Sequence, residues 1–385
     1  MLNAATGSSS GLRARQAGAA AAAAAVVDDP RLVFAYTSVD YDVAEVLAGI
    51  GDALPGVPVI GNTSFTGVIT ADGFVGGPDG FIGVLVLGGD LEVGVAGLPA
   101  HGDARATGAR AAHAALAAAG RTDPPAWMAM VAAPGEEETY LKGLSDVVGR
   151  VPLFGGSAAD NSISGDWKLL SSDGVTSDGV AVAFLWTDAE VANVYTGAYR
   201  ETSDVGIVTK VVGARTLAEI DGKPALEAYA AWTGAQTDHL QGLDLLVATI
   251  TSPLGVKDPL GDLVAIRHPM VGNPDDTMNL GSNIATGTAV IRMESTVDEL
   301  IESTDATLAE LQGRLTGHPV AYHLVHCGGR RAGIGDRIDE VAQRLRTQAG
   351  GVPFLCEFTF GEYGFVDDGR NTCGGLMLSF TGFAD

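Results

Sequence analysis

The chain has 385 residues, 46% hydrophobic and 18% charged, which is material for about two domains of ordinary size and excludes general disorder. Its 23 Lys and Arg face 47 Asp and Glu, a formal net charge of −24, so neither nucleic acid nor an anionic membrane surface is an expected partner. The three cysteines, Cys327, Cys356 and Cys373, form no CxxC spacing, so neither a disulfide framework nor a zinc site is expected and a reducing cytoplasm fits best.

Near the start, Arg13 and Arg15 precede the run Ala17 to Val27, which imitates a secretory leader. Alanine is the strongest helix former and a weak membrane residue, and Ser8 to Ser10 offer N-cap candidates. The segment therefore reads as an ordinary helix packed on the first domain. No run of roughly 20 strongly apolar residues follows, so no membrane span is expected.

One unit then recurs three times. Its first copy is the apolar strand Arg31 to Tyr36, a helix over Tyr41 to Leu54, Val57-Pro58-Val59-Ile60, the loop Gly61 to Gly67, and the strand Phe81 to Leu87. The second runs from Trp127–Val131 through a helix over Glu136 to Val148 and Val151-Pro152-Leu153-Phe154. It then enters the loop Gly155 to Asn161 and closes on the strand Val180 to Trp186. The third takes Val320 to Cys327, a helix over Arg337 to Gln348, Val352-Pro353-Phe354-Leu355, the loop Cys356 to Glu362 and the strand Leu376 to Phe380. Proline suits the start of a strand, where its missing N–H breaks no ladder bond.

Between copies two and three lies a second architecture. Val191 to Val212 reads as two strands, Lys223 to Trp232 as a helix, Asn273 to Asp276 as a turn and Thr296 to Leu315 as a helix. A composition shift near Ala198 to Asp204 divides the chain into residues 1–200 and 201–385. The fold class is α/β of the mixed α+β kind: strand–helix–strand–strand units forming mixed sheets with helices outside, in two halves.

This order of motifs resembles the FIST family, with its FIST N-terminal and C-terminal domains in tandem, over most of the chain. The resemblance rests on Val59-Ile60-Gly61-Asn62-Thr63-Ser64, Leu153 to Ala158, Ile266-Arg267, Gly287, Cys327-Gly-Gly-Arg330, Phe358 to Glu362 and Asn371-Thr372, in that order. It implies a sensory module that binds small ligands such as amino acids. The first loop departs from the family pattern, with Thr66-Gly67 where Gly-Glu is usual. The output is expected to pass through a separate signalling partner.

Candidate ligand contacts lie at strand ends, where α/β sheets commonly bind ligands. Gly155, Gly156, Ser157, Asp160 and Asn161 form one set, and Thr63 and Ser64 hold the equivalent place in copy one. Cys327 and Arg330 end the first strand of copy three. His326 points to the opposite strand face from Cys327, and His323 lies roughly 13 Å away along the strand, so no cysteine–histidine dyad forms. Arg330 or Arg331 suits a carboxylate clamp, and Glu362 an ammonium. Glu136 to Glu138 read as acids favoured by a helix start. His323 and His326 diverge too far for a metal pair. With no Walker A loop, GxSxG elbow, HExxH or GxGxxG helix start, no catalytic set, metal or cofactor is expected. The expected activity is reversible binding of a small polar metabolite between loop ends of the two halves. The alternatives are an enzyme acting on a small substrate through Cys327, Glu362 or Asp160, and an oligomerising scaffold.

Overall fold

The computed structural model describes residues 1–257, 263–366 and 370–385. The chain is mixed α+β, and its repeat is longer than the sequence suggests. Copy one comprises the strand Leu2–Ser10, helix Ala14–Ala24, strand Pro30–Thr37, helix Val43–Ala53 and strand Val59–Thr63. The hairpin Gly67–Thr70/Gly73–Gly76 and the strand Phe81–Gly89 follow. Copy two repeats this from Glu92–Leu98 and the helix Ala104–Ala119 to Val180–Trp186. Copy three begins with Glu190–Thr196 and ends with Leu378–Ala384. The inserted architecture, from the strand Arg200–Val212 to Ala289–Glu294, therefore interrupts copy three after its first strand instead of separating copies two and three. Ser8 to Ser10 belong to a strand paired with Phe81 to Gly83, and the alanine helix starts at Arg13 without a side-chain cap.

Each copy builds a four-stranded sheet and lends its hairpin to another. Leu169–Ser171 of copy two pairs with Val59–Thr63 of copy one. Glu362–Val366 of copy three pairs with Leu153–Ser157 of copy two, and Gly67–Thr70 of copy one pairs with Phe354–Thr359 of copy three. This exchange is cyclic, so the three sheets stand as the walls of a prism with approximate threefold symmetry. The division into residues 1–200 and 201–385 is thus crossed by two of the three hairpin exchanges.

Strand alternation shows how the walls are filled. On Pro30–Thr37, Leu32, Phe34 and Tyr36 point into the prism, whereas Val33 and Ala35 face the helices Ala14–Ala24 and Val43–Ala53. Both faces are buried, which is why these strands read as unbroken apolar runs. Phe154 occupies the axis, with ring centroids 6.0 Å from Phe34, 6.3 Å from Trp127, 5.2 Å from His323 and 6.0 Å from Phe383. Outside, the paired helices of copies one and two touch through glycine. A Cβ on Gly49 would lie 2.0 Å from the Arg15 carbonyl oxygen, and one on Gly143 would lie 1.9 Å from that of Arg105. Alanine would otherwise be the better helix residue at both positions.

Phe154→Ala is expected to lower stability by about 3–5 kcal/mol, because no single neighbour can collapse into the axial space. Equilibrium denaturant unfolding of the two proteins measures this.

Candidate functional site

The three strand ends that follow the Val-Pro pairs converge, as the repeat implies, but they close on one another. Phe65 N donates to Phe358 O at 2.9 Å, Ala159 N to Thr63 O at 2.8 Å, and Phe360 N to Ser157 O at 3.2 Å. These are symmetry-equivalent bonds in the three copies and form a closed ring around the axis. The expected loops are in fact strand: Thr63, Gly155, Gly156, Ser157 and Glu357 all lie within β-ladders. Above the ring, Phe65, Phe360 and Trp167 stack at 5.7 and 6.3 Å and are half-buried.

Most residues expected to meet a ligand serve this closure. The Ser64 hydroxyl donates to Gly67 O at 2.7 Å and accepts from Phe358 N at 2.8 Å, while Thr63 Oγ1 accepts from Lys168 N at 2.9 Å. Gly155 has φ 125°, and a Cβ there would lie 2.0 Å from the Met130 carbonyl oxygen; one on Gly156 would meet Thr359. Asp160 is fully buried. Burial pushes its carboxyl up, but amide donors from Ser162, Ser164, Gly165 and Asp166 outweigh this and hold it below the usual range. It therefore organises its own loop. Asn161 bridges Thr66 N at 2.9 Å and Asp40 at 2.8 Å.

The Arg330–Glu362 clamp is not formed at a surface. Arg330 is fully buried, donating to Gly197 O at 2.7 Å, Leu300 O at 3.1 Å and Ser303 Oγ, with its guanidinium 5.8 Å from the Tyr199 ring. Arg331 stacks on Phe74 and Phe358 instead of reaching a solvent-facing site. Cys327 caps the short helix Gly328–Ile334, its sulfur accepting from Gly329 N and Leu376 N. Burial, reinforced by Glu362, pushes its thiol far up, so it is a protonated thiol and a poor nucleophile. Cys327 and Glu362 do adjoin. Thr359 Oγ1 and Met377 N donate to the Glu362 carboxyl at 2.8 and 2.9 Å, yet burial dominates and pushes it up to about 8.

A second buried acid, overlooked in the sequence, lies inside the prism. Glu357 accepts from Asn62 Nδ2 at 2.8 Å and lies 4.0 Å from His323 Nε2, which meets the Tyr36 hydroxyl. Burial pushes Glu357 up to about 8 and His323 down to about 3, so both are neutral near pH 7.

One opening that combines residues of both halves lies away from this ring; a larger hollow of about 1360 Å³, lined by residues that include Arg31, Arg121 and Trp186, holds none of the expected contacts. A groove of about 480 Å³ is walled by the helix Glu137–Val148 and Arg150 on one side, and by Arg267, Asn371, Thr372 and Cys373 on the other. Behind its lining residue Glu138 lies Arg215. That guanidinium contacts Glu137 and lies 2.8 Å from Glu138, while Asn283 N donates to Glu138 at 2.9 Å. Burial disfavours the Arg215 charge, but the two carboxylates more than offset it. Arg267 donates to Asn283 O at 2.9 Å and Cys373 O at 3.0 Å. From Glu137 the network continues through the Ser157 hydroxyl at 3.1 Å to Tyr363 at 2.6 Å, linking the groove to the axial ring. Glu137 and Glu138, read as ordinary helix-start acids, thus hold the halves together. Their only sequence signal is a triple acid run in a segment that also has to be buried.

The class defined by this fold and groove is a triple-repeat α+β protein with an inserted sheet and a polar cleft between its halves. The chain belongs to the FIST family: residues 31–223 match the FIST N domain and residues 225–364 the FIST C domain, in tandem. FIST domains are associated with sensory and signal-transduction roles. No curated protein matches the chain. Among solved structures it is similar to cyanuric acid hydrolase from A. caulinodans, at 10% identity and a TM-score of 0.37 over 100% of both chains. It is also similar to PurLQS from Thermotoga maritima, at 11% identity and a TM-score of 0.24 over 100% of this chain and 73% of that one.

Two outcomes are expected. Arg215→Met leaves two carboxylates desolvated without their cation and should cost about 3–5 kcal/mol, with partial recovery when Glu137→Gln and Glu138→Gln are added; chemical denaturation of the single and triple variants measures it. The second concerns pH. Burial raises Glu357 and Glu362 in the folded state to about 8 from the ordinary glutamate value of 4.5, so the folded state binds more protons than the unfolded one between these limits. Their contribution is fully present below about pH 4.5 and declines as pH rises through 8. Denaturant midpoints from pH 5 to 9 should fall, and the slope should flatten in Glu357→Gln and Glu362→Gln.

Proposed function

We propose that this FIST protein is a sensory receptor that binds a small polar metabolite in the groove between its halves and passes the resulting shift to a separate signalling partner. The observation that carries this reading is the groove itself: it has the size of a metabolite site, combines side chains from both halves, and contains Arg267, Asn371 and Thr372. Asn371 supports it further, since its Nδ2 donates to Val151 O at 2.7 Å while its buried Oδ1 has no partner among the described residues. The Glu138–Arg215–Glu137–Ser157–Tyr363 chain is the route by which occupancy would bias the packing of the halves. A cytoplasmic setting agrees with three free thiols and with the finding that no helix among the described residues is long and apolar enough to cross a membrane.

The enzyme reading through Cys327 and Glu362 loses support from their burial and from the protonated thiol. Thermal-shift screening of the protein against amino acids, organic acids and phosphorylated metabolites tests the receptor reading. A ligand at 100 times its Kd adds about 2.7 kcal/mol of stability. Ser145→Trp, which fills the groove from the helix Glu137–Val148, should abolish the shift given by any hit. A hit whose shift survives that substitution would overturn the groove assignment.

A further inference from the structure

The charge of the groove goes further than its shape. The chain has twice as many acids as bases, 47 against 23, so a random patch should be acidic. The groove has the opposite balance: Arg105, Lys142, Arg150 and Arg267 against Glu138 and Asp146. Both acids are already engaged. Asp146 accepts two hydrogen bonds from Arg105 at 2.6 and 2.7 Å, and Glu138 is held by Arg215 and Asn283 N. Lys142 and Arg150 are exposed and form no ion pair among the described residues, and Arg267 donates from Nε and Nη1 to backbone carbonyl oxygens. Three cationic side chains, two from the first half and one from the second, thus face one hollow without an acidic partner among the described residues.

Resting on the receptor reading above, we infer that the groove takes a small anion with two or more negative charges, of carboxylate or phosphoryl type, in preference to a zwitterion. Lys142 and Arg150 supply charge from the first half. Arg267 supplies a guanidinium fixed in direction by its carbonyl partners at Nε and Nη1, which leaves its Nη2 N–H groups to donate to an oxyanion. Asn371 and Thr372 add neutral polar contacts between them. A zwitterionic amino acid would leave two of the three cations unmatched and would place its ammonium among them. The ligand bridges the halves because no half alone holds all three charges. On a chain of net charge −24, this local reversal of sign makes the groove attractive to an anion.

The test is calorimetric titration of the full chain at low ionic strength with succinate, citrate, inorganic phosphate and glycerol phosphate, beside alanine and serine. At least one multiply charged anion should bind. Whether it is an organic acid or a phosphate assigns the source of the charge. In Lys142→Gln/Arg150→Gln its affinity should fall at least tenfold, while the unfolding midpoint without ligand stays unchanged, because neither side chain has a partner to lose among the described residues. Raising salt from 0.02 to about 0.2 M should weaken wild-type binding and have little effect on that variant. If alanine or serine binds and the anions do not, with binding lost in Ser145→Trp, the charge preference is overturned while the groove reading survives. If no probe binds, or if binding ignores both sets of substitutions, inference and receptor reading fall together.

Discussion

Three equivalent backbone hydrogen bonds, Phe65 to Phe358, Ala159 to Thr63 and Phe360 to Ser157, tie the carboxyl ends of the repeat strands into one ring, and much of the molecule follows from that closure. Each bond joins strands from different copies, so no copy can satisfy its own strand end. The hairpin exchanges repeat the same dependence along the walls. A buried N–H or C=O without a partner is costly, so the copies must assemble together around Phe154 or leave several such groups unpaired. Glycine at 156, where a Cβ would meet Thr359 and the Gly361 carbonyl oxygen, allows the strand ends of copies two and three to approach closely enough for this.

Closure also decides where function can lie. Strand ends of α/β sheets are common ligand sites because they are usually open crevices. Here the crevice is filled by other copies of the same element, with Ser64, Thr63 and Ser157 satisfying internal donors and acceptors. Solvent access is displaced outward, to the seam where the helix Glu137–Val148 meets the inserted sheet and the hairpin that carries Asn371 to Cys373. The seam is held by charge, since Arg215 serves two carboxylates, whereas the prism is held by apolar burial.

The buried acids Glu357 and Glu362 illustrate how far local context can shift a group. Both lie in the third copy, where copies one and two carry Asn62 or Gly156 at the position of Glu357. Neither has a cation in direct contact among the described residues, so burial keeps both protonated near neutral pH, and a neutral carboxyl group can remain in a core that would reject a carboxylate.

Sequence alone determined the elements that depend on neighbours along the chain. The strands flanking each Val-Pro pair, the helices between them, the threefold recurrence and the family likeness were all legible from apolar periodicity and proline placement. The extra leading strand was legible in copy three, within Val191 to Val212, but not in copies one and two: Leu2–Ser10 is rich in Ser, Ala and Gly and becomes a strand only because Phe81–Gly89 offers it a ladder. Tertiary structure decided which polar residues face solvent. Arg330 and Asp160 look available in sequence and are buried, while Arg267, Lys142 and Arg150 share one hollow although up to 125 positions separate them. Burial of a polar side chain depends on elements distant in sequence, and the local pattern that forms a strand or helix carries no record of which distant surface will cover it.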